Sequence, residues 1–395
     1  MPGVTIDKFG PLLFVQMWRA PLSRRDVRDL CDAAFGGQLG RDQIDRVWVH
    51  PRTRDAKGFV PFANDGTVPN VVDAESFAVA GVYERSGAAV DYSQFNPNVT
   101  GRDLSNPDLL FTFHELGLSY NFVPPREFGD PALFLDFRTT RRWIRSHVQT
   151  RARDAENISA LNAFAYTCGT GLCATAGGAT RVLHTDHSET YLQYGANNYE
   201  LNGFGGDTKT DGDGDGVSDV HSRFESYCED FYPAARLLAG LPMPGRQSRG
   251  GGRGNRGHGG RGGRGGRGAR DRGSRFTKTQ EKKRKPPKPE TFDLVILDPP
   301  TLTKTPYGAV DIVNDYQSLA KPACLCVTPG GVLLATNHSS KVELDDWLEI
   351  VRRCVGKAGC EVKNVEIVAP DADDDDHPAL ADGKRPLKVA AFTLE

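Results

Sequence analysis

Cysteine pairs at metal-ligand spacing are missing from this chain. Its eight cysteines (Cys31, Cys168, Cys173, Cys228, Cys324, Cys326, Cys354 and Cys360) form no CxxC and have no His-x₃₋₅-His partner. That argues against a zinc site or a disulfide framework and for reduced thiols inside a cell; no metal is expected. Long apolar runs are missing too. Nothing approaches the ~18–20 residues of a membrane span. The first residues hold neither a signal-peptide core nor an Arg-rich amphipathic presequence. Membrane and secreted classes drop out of the expectations. What remains is an intracellular, soluble, cytoplasmic protein, with nucleolar or organellar placement and the oligomeric state left open. The opening "MPGVTIDKFG" reads as a domain edge, so a targeting segment or another domain could precede it.

Glycine and unevenly placed charge are what the chain has in abundance. It carries 44 glycines and a net charge of −2 over 395 residues. Between Arg246 and Lys288 stand 16 lysines and arginines against two acids, Asp271 and Glu281. That local balance of +14 leaves −16 on the rest. Within this arm "GRGGRGGRGARDRG" (260–273) has no residue able to build a core. An acidic body with one concentrated basic arm points to RNA or DNA phosphates as the arm's partner. A purely solvating linker would not need arginine at nearly every third position.

The length suggests two or three domains. Residues 1–125 hold short strand-like stretches, "GPLLFVQMW", "DRVWVHP", "SFAVAGVYE" and "LLFTFHELGLSYNFV", around a helix "SRRDVRDLCDAAF" with Ser23 as its cap. This is an α+β, mostly β unit. From about 126 to 395 strands alternate with helices: "ISALNAFAY", "LCATAGGA", "TRVLHTDH", "SETYLQYGANNYELNG", "SRFESYCED", "FDLVILDPP", a helix over "VDIVNDYQSLAKPACLCV", "GVLLATNH", "LDDWLEIVRRCVGKAG" and two closing strands. That alternation predicts an α/β, Rossmann-like, mainly parallel sheet, and the closing pair predicts one antiparallel strand. Two inserts interrupt it, an acidic one at 205–221 and the disordered, basic one at 240–289. Lengthening a loop tenfold costs only about 2 kcal/mol of closure entropy, so an exposed loop can carry the arm. Both ends of the arm are expected on the side of the sheet that holds the ligand.

In such a sheet the ligand sits at the carboxyl ends of the strands, where strand order reverses. Three stretches are expected to meet there. "AFAYTCGTG" (163–171) brings glycines and a helix N-terminus. Asp186 brings a carboxylate for ribose hydroxyls. "LDPPT" (297–301) brings a rigid turn, and two prolines closing a central strand are rarely placed there for stability. "DGDGDGVSD" (211–219) resembles the start of a calcium loop, but Ser222 stands where the bidentate Glu is needed, so a solvated acidic insert is expected. "DADDDD" (371–376) is expected to be a solvated loop as well.

Taken in order, these blocks resemble class I S-adenosylmethionine-dependent ribosomal RNA methyltransferases, similar to the bacterial large-subunit rRNA cytosine-5 methyltransferases. The resemblance runs from residue 2 to the C-terminus apart from the inserts. It rests on "PGVTIDKFGPLLFVQ", "GVYERSGAAV", "ALFLDFRTTRRWI", "LNAFAYTCGTGLCATAGGA", "VLHTDHSETYLQYGANNYELNGF", "FDLVILDPPTLTK" and "DDDDHPAL". The resemblance implies a hairpin domain before the methyltransferase domain, with no counterpart of the family's PUA domain. It implies S-adenosyl-L-methionine as cofactor: Tyr166, Cys168 and Gly169 lining its methionine part, Asp186 on the ribose, Asp230 at the adenine amine, Asp136 and Arg138 covering it. Asp298, Pro299, Pro300 and Thr301 would face the target base.

Two departures stand out. Phe137 replaces a usual glutamine. "ATNHSS" puts Asn337 and His338 where the family's nucleophilic cysteine is expected. Attack at cytosine carbon 6 needs a thiolate, whereas methylation of a base nitrogen does not. His338 is a base, a base-edge contact or a structural histidine. The leading expectation is therefore an S-adenosylmethionine-dependent methyltransferase acting on RNA, ribosomal RNA first, without a covalent cysteine. The alternative is a catalytically inactive RNA-binding or ribosome-assembly protein on the same scaffold.

Overall fold

The computed structural model of the chain describes residues 3–18, 22–37, 43–52, 81–85, 111–122, 130–205, 224–242, 287–370, 383 and 385–395. The calcium-like stretch, the arm from 243 to 286, and "DADDDD" with Asp376–Pro378 lie outside the described residues.

At the N-terminus, β1 (Val4–Phe9), β2 (Leu12–Met17), β3 (Arg46–Pro51) and β4 (Gly81–Glu84) form a sheet in that order. β2 and β3 run parallel because α1 (Arg24–Phe35) crosses between them. Ser23 caps α1 as expected. Its hydroxyl accepts the Asp26 N–H at 3.1 Å while the Asp26 carboxylate accepts the Ser23 N–H at 3.0 Å, a reciprocal capping box. Val27, Cys31 and Ala34 of α1 cover Leu13, Val15, Val47 and Val49. The other face of the sheet packs Phe9, Phe14 and Trp48 against Phe113 and Phe122. Those two belong to a hairpin, β5 (Phe111–Glu115) and β6 (Leu118–Phe122), whose turn residues Leu116 and Gly117 both have positive φ, 52° and 73°. That is the backbone a two-residue hairpin loop favours.

The larger layer opens with a 3-10 turn at Leu135–Phe137 and α2 (Arg138–Arg151). It continues through β7 (Ser159–Ala163), α3 (Gly169–Ala176), β8 (Arg181–Asp186), α4 (Glu189–Leu201), β9 (Phe224–Cys228) and α5 (Phe231–Leu238). Then follow β10 (Phe292–Leu297), β11 (Leu302–Thr305), β12 (Gly308–Asp311), α6 (Gln317–Cys324), β13 (Val327–Asn337), α7 (Leu344–Lys357), β14 (Val362–Ile367) and β15 (Lys388–Leu394). The seven-stranded order is β14-β15-β13-β10-β7-β8-β9. Only β15 runs antiparallel to its neighbours, as the closing pair predicted. The chain winds outward from β7 to β9 and returns to β10 on the other side of β7, so strand order reverses between β7 and β10. This is a Rossmann-like α/β sheet behind a smaller α+β unit. No helix among the described residues is long and apolar enough to cross a membrane.

Three expectations need correction. The helix expected over 310–327 is confined to α6; its first residues instead close the β11–β12 hairpin, where Thr303 and Val310 pair. β1 was hidden because "VTIDKF" mixes charge into a strand that is only half covered. The third concerns the arm. After β9, α5 carries the chain back down the sheet, so the described residues before the arm end at the amino-terminal edge. There the Glu290 N–H donates to the Leu238 carbonyl at 2.9 Å, and Arg181, at the start of β8, bonds Glu290 at 2.7 Å. The roots of the arm therefore lie on the edge opposite the strand ends that close the crevice, not beside them.

Candidate active site

The register of the sheet sets the site. Ala335, Leu297, Ala163, Thr185 and Tyr227 lie in one row across β13, β10, β7, β8 and β9. The next residues along those strands are Thr336, Asp298, Phe164, Asp186 and Cys228. Asp298 and Asp186 are two strands apart, about 10 Å at the usual strand spacing.

Asp186 is buried, and its carboxylate is fixed by two backbone donors. Oδ2 accepts the Tyr166 N–H and Oδ1 the Ser188 N–H, both at 2.9 Å. Each oxygen keeps a second lone pair, which suits a group presenting two hydroxyl donors. The preceding loop is unusual: Phe164, Tyr166 and Cys168 all adopt positive φ (58°, 50° and 62°). Such conformations cost about 1–3 kcal/mol each and persist where the surroundings impose them. Here the Tyr166 hydroxyl donates to the Pro131 carbonyl at 2.8 Å, and its ring meets Phe134 and Tyr191 at 5.4 and 4.4 Å. Gly169 and Gly171 are required by close packing. A Cβ on Gly169 would stand 2.7 Å from Leu133, and one on Gly171 2.2 Å from the buried ring of His184.

Cys168 is placed in this loop, but its thiol is fully buried below Gly195, and burial pushes its pKa well up. What the residue can offer a ligand is backbone. Gly169 through Gly171 bring the unbonded N–H groups of the α3 N-terminus. Asp230 precedes α5 without its side chain capping it, and burial, opposed by nearby His187, raises its carboxyl pKa.

Sequence reasoning missed the aromatic wall between these elements. Phe164 stacks on Phe231 at 4.6 Å, and both are aromatics directly following strand-end positions already singled out. His187 was missed as well; its Nδ1 lies 3.4 Å from Asp186 Oδ1.

At the end of β10, Asp298 accepts a 2.6 Å hydrogen bond from the Thr336 hydroxyl. Desolvation dominates its environment, and Asp136 adds a like charge, so its pKa is pushed up to about 7. Thr301 meets His338 with 2.6 Å between Oγ1 and Nε2. Desolvation lowers the His338 pKa, against the pull of Asp136, which keeps the ring neutral near pH 7. Asp136, in the 3-10 turn, thus acts through its charge on both Asp298 and His338. Arg138 starts α2 beside it, and Phe137, at the departed glutamine position, is buried in the core.

No thiol stands with this group. Cys324 and Cys326 are buried at the opposite edge, at the end of α6 and the start of β13, and burial raises both pKa values, that of Cys326 to about 12. Exposed Cys228, at the end of β9, is also pushed up to about 12 by desolvation and Glu189.

Residues 84–210 match the family model described as S-adenosylmethionine-dependent methyltransferase. That span includes Asp136, Tyr166 and Asp186. Over 232 residues the chain is 25% identical to the ribosomal RNA large subunit methyltransferase K/L of Psychrobacter sp., covering 58% of this chain and 20% of that protein. For the protein of the same name from Methylococcus capsulatus the identity is 27% over 256 residues, covering 64% and 24%. The chain spans about a fifth to a quarter of the length of these relatives. A putative SAM-dependent methyltransferase from Streptococcus mutans has the same fold, with a TM-score of 0.53 at 16% identity over 99% of this chain and 71% of that one.

Proposed function

We propose that this chain, whose residues 84–210 match the S-adenosylmethionine-dependent methyltransferase model, methylates a base nitrogen of RNA, ribosomal RNA in the first instance. The observation that carries the reading is the Asp186 carboxylate, locked by two backbone N–H groups in the same row as Asp298. The residues present fit the cofactor. Asp186 would take the ribose hydroxyls, Asp230 the adenine amine, and Phe164 with Phe231 a flat apolar flank. The 166–169 backbone would line the methionine part, and Asp136 and Arg138 would close over it. S-adenosylmethionine, when bound, supplies an electrophilic methyl group.

The chain's own residues do the rest. Thr336 holds one oxygen of Asp298, leaving the other to accept a hydrogen bond from a base N–H and orient the nitrogen's lone pair. Pro299 and Pro300 keep that turn rigid and poor in donors. Neutral His338, bonded to Thr301, can contact a base edge or accept a proton at Nε2. With every cysteine away from this group or held protonated, attack at a pyrimidine carbon has no nucleophile. The ribosomal target is suggested by the names of the curated relatives. In this reading residues 1–125 hold RNA against residues 126–395, and the arm from Arg246 to Lys288 adds phosphate contacts.

Isothermal titration with S-adenosylmethionine tests the reading. Wild type should bind, and Asp186→Ala should weaken binding roughly ten- to a hundred-fold, as loss of a charged hydrogen-bond partner does, with the fold kept. Absence of binding by wild type at millimolar cofactor would overturn it.

A further inference from the structure

The small N-terminal sheet ends on a feature that the methyltransferase reading does not use. Along β2 the inner face passes from Leu12 and Phe14 in the core, through Gln16, which donates to Asp7 at 2.9 Å, to Trp18 just beyond the strand. Of the four tryptophans, Trp48 and Trp347 are buried and Trp143 is half-buried, whereas Trp18 is 43% exposed. Its ring is nonetheless held. The indole N–H donates to the Thr5 hydroxyl at 3.0 Å, and its backbone N–H donates to the Gly3 carbonyl at 2.7 Å. The Arg52 guanidinium lies over the ring, 4.7 Å from its centroid.

Arg52 ties this ring to the catalytic mouth. Its Nη2 pairs with Asp130 Oδ1 at 2.5 Å, and the Asp130 carbonyl accepts the Tyr166 hydroxyl at 3.2 Å. Tyr166 in turn gives its N–H to Asp186. Trp18 therefore stands on the rim of the active edge, three contacts from Tyr166. One face of its ring is backed by a pinned cation, and the residue keeps 43% of its surface exposed, where a second planar group can reach it.

We propose that Trp18, backed by Arg52, is a stacking platform for an unpaired RNA base next to the nucleotide being methylated. The partner chemistry follows from the surface. An aromatic face with a guanidinium behind it suits any nucleobase, because every base has a π-face and the stack asks for no particular sequence. Rigid positioning lowers the ordering cost of the contact. The platform would hold the strand at the rim while the target base enters the crevice. This rests on the RNA reading above, and the test separates the two.

The experiment uses the full chain and a short fluorescent single-stranded RNA at about 200 mM salt, where phosphate contacts are weakened relative to stacking. Wild type should bind, and the RNA should quench tryptophan emission. Trp18→Ala should lose about tenfold in affinity for the single strand, with the salt slope, S-adenosylmethionine affinity and melting temperature unchanged. Trp18→Phe should keep most of the affinity and lose the quenching. A Trp18→Ala protein that binds like wild type, or quenching that survives in Trp18→Phe, overturns the platform. If Trp18→Ala fails to fold, the Trp18→Phe quenching decides alone. Wild type that ignores RNA altogether sinks the RNA reading itself, and the platform with it.

Discussion

Asp298 shows how one side chain can be costly to the fold and useful to the site. Its proton is held more tightly in the folded protein than in the unfolded chain, because desolvation lifts its pKa from 3.8 to about 7. Well below pH 3.8 the group is neutral in both states and has no effect on stability. As pH rises from 4 to 7 the unfolded chain ionises first, so ionisation progressively opposes folding, and above 7 the penalty is constant. Asp298→Asn keeps the acceptor for the Thr336 hydroxyl and removes the charge. It should melt higher than wild type at pH 8, with the gap closing toward pH 4, in calorimetric scans across that range. Equal melting temperatures at pH 8 would show that Asp298 is better solvated than its surroundings imply. On the proposed role, wild type should show an acid limb near pH 7 in the rate profile of methyl transfer, and Asp298→Asn, whose amide nitrogen would turn a donor toward the base N–H, should abolish the transfer.

At the scale of elements, the β5–β6 hairpin joins the two layers. Asn198 of α4 and Asn202 at its C-cap accept the Asn121 and Ser119 N–H groups at 3.0 and 2.9 Å, and Asn202 returns a donor to the Ser119 carbonyl at 2.7 Å. On the other side Glu115 and Arg141 form a buried bidentate pair, at 2.5 and 2.8 Å. Removing one partner of such a pair typically costs about 3–5 kcal/mol, while replacing both by apolar groups costs less. Glu115→Leu should therefore lower stability by that amount in urea unfolding, and Glu115→Leu with Arg141→Met should recover much of it. None of this docking was legible in the sequence, because Asn and Glu at those positions read as ordinary polar faces. The strands that carry the site were legible for the opposite reason: the apolar runs within "LNAFAY", "VLHTDH" and "FDLVILDPP" are buried, and the last two stop abruptly at Asp186 and at Asp298 with its two prolines. The β11–β12 hairpin escaped because "VDIVNDY" has its apolar residues near helical spacing, although Pro306 and the glycine at 308, with φ of 148°, mark the turn. Spacing revealed which residues end strands, but not that the Cys168 thiol turns inward.

For the whole molecule, the decisive geometry is that the described residues flanking the arm and the candidate site lie at opposite edges of one sheet. The two roots are already adjacent: a Cβ on Gly240 would lie 3.6 Å from Pro289, and Leu238 bonds Glu290 across the gap. Removing residues 246–286 and closing with a short linker therefore leaves α5 and β10 where they are. Thermal stability and S-adenosylmethionine affinity should match wild type. RNA binding should weaken, and its salt dependence should flatten by several units, since each single-strand phosphate neutralised contributes about 0.7 to the slope. Because the arm is rooted away from the crevice, it should act on capture rather than on chemistry. The rate at saturating RNA should stay close to wild type, and the methylated nucleotide should be the same one. A fall in the saturated rate would mean that the arm reaches around the sheet to the reacting edge. Unchanged affinity and slope would assign the arm to docking a protein partner instead.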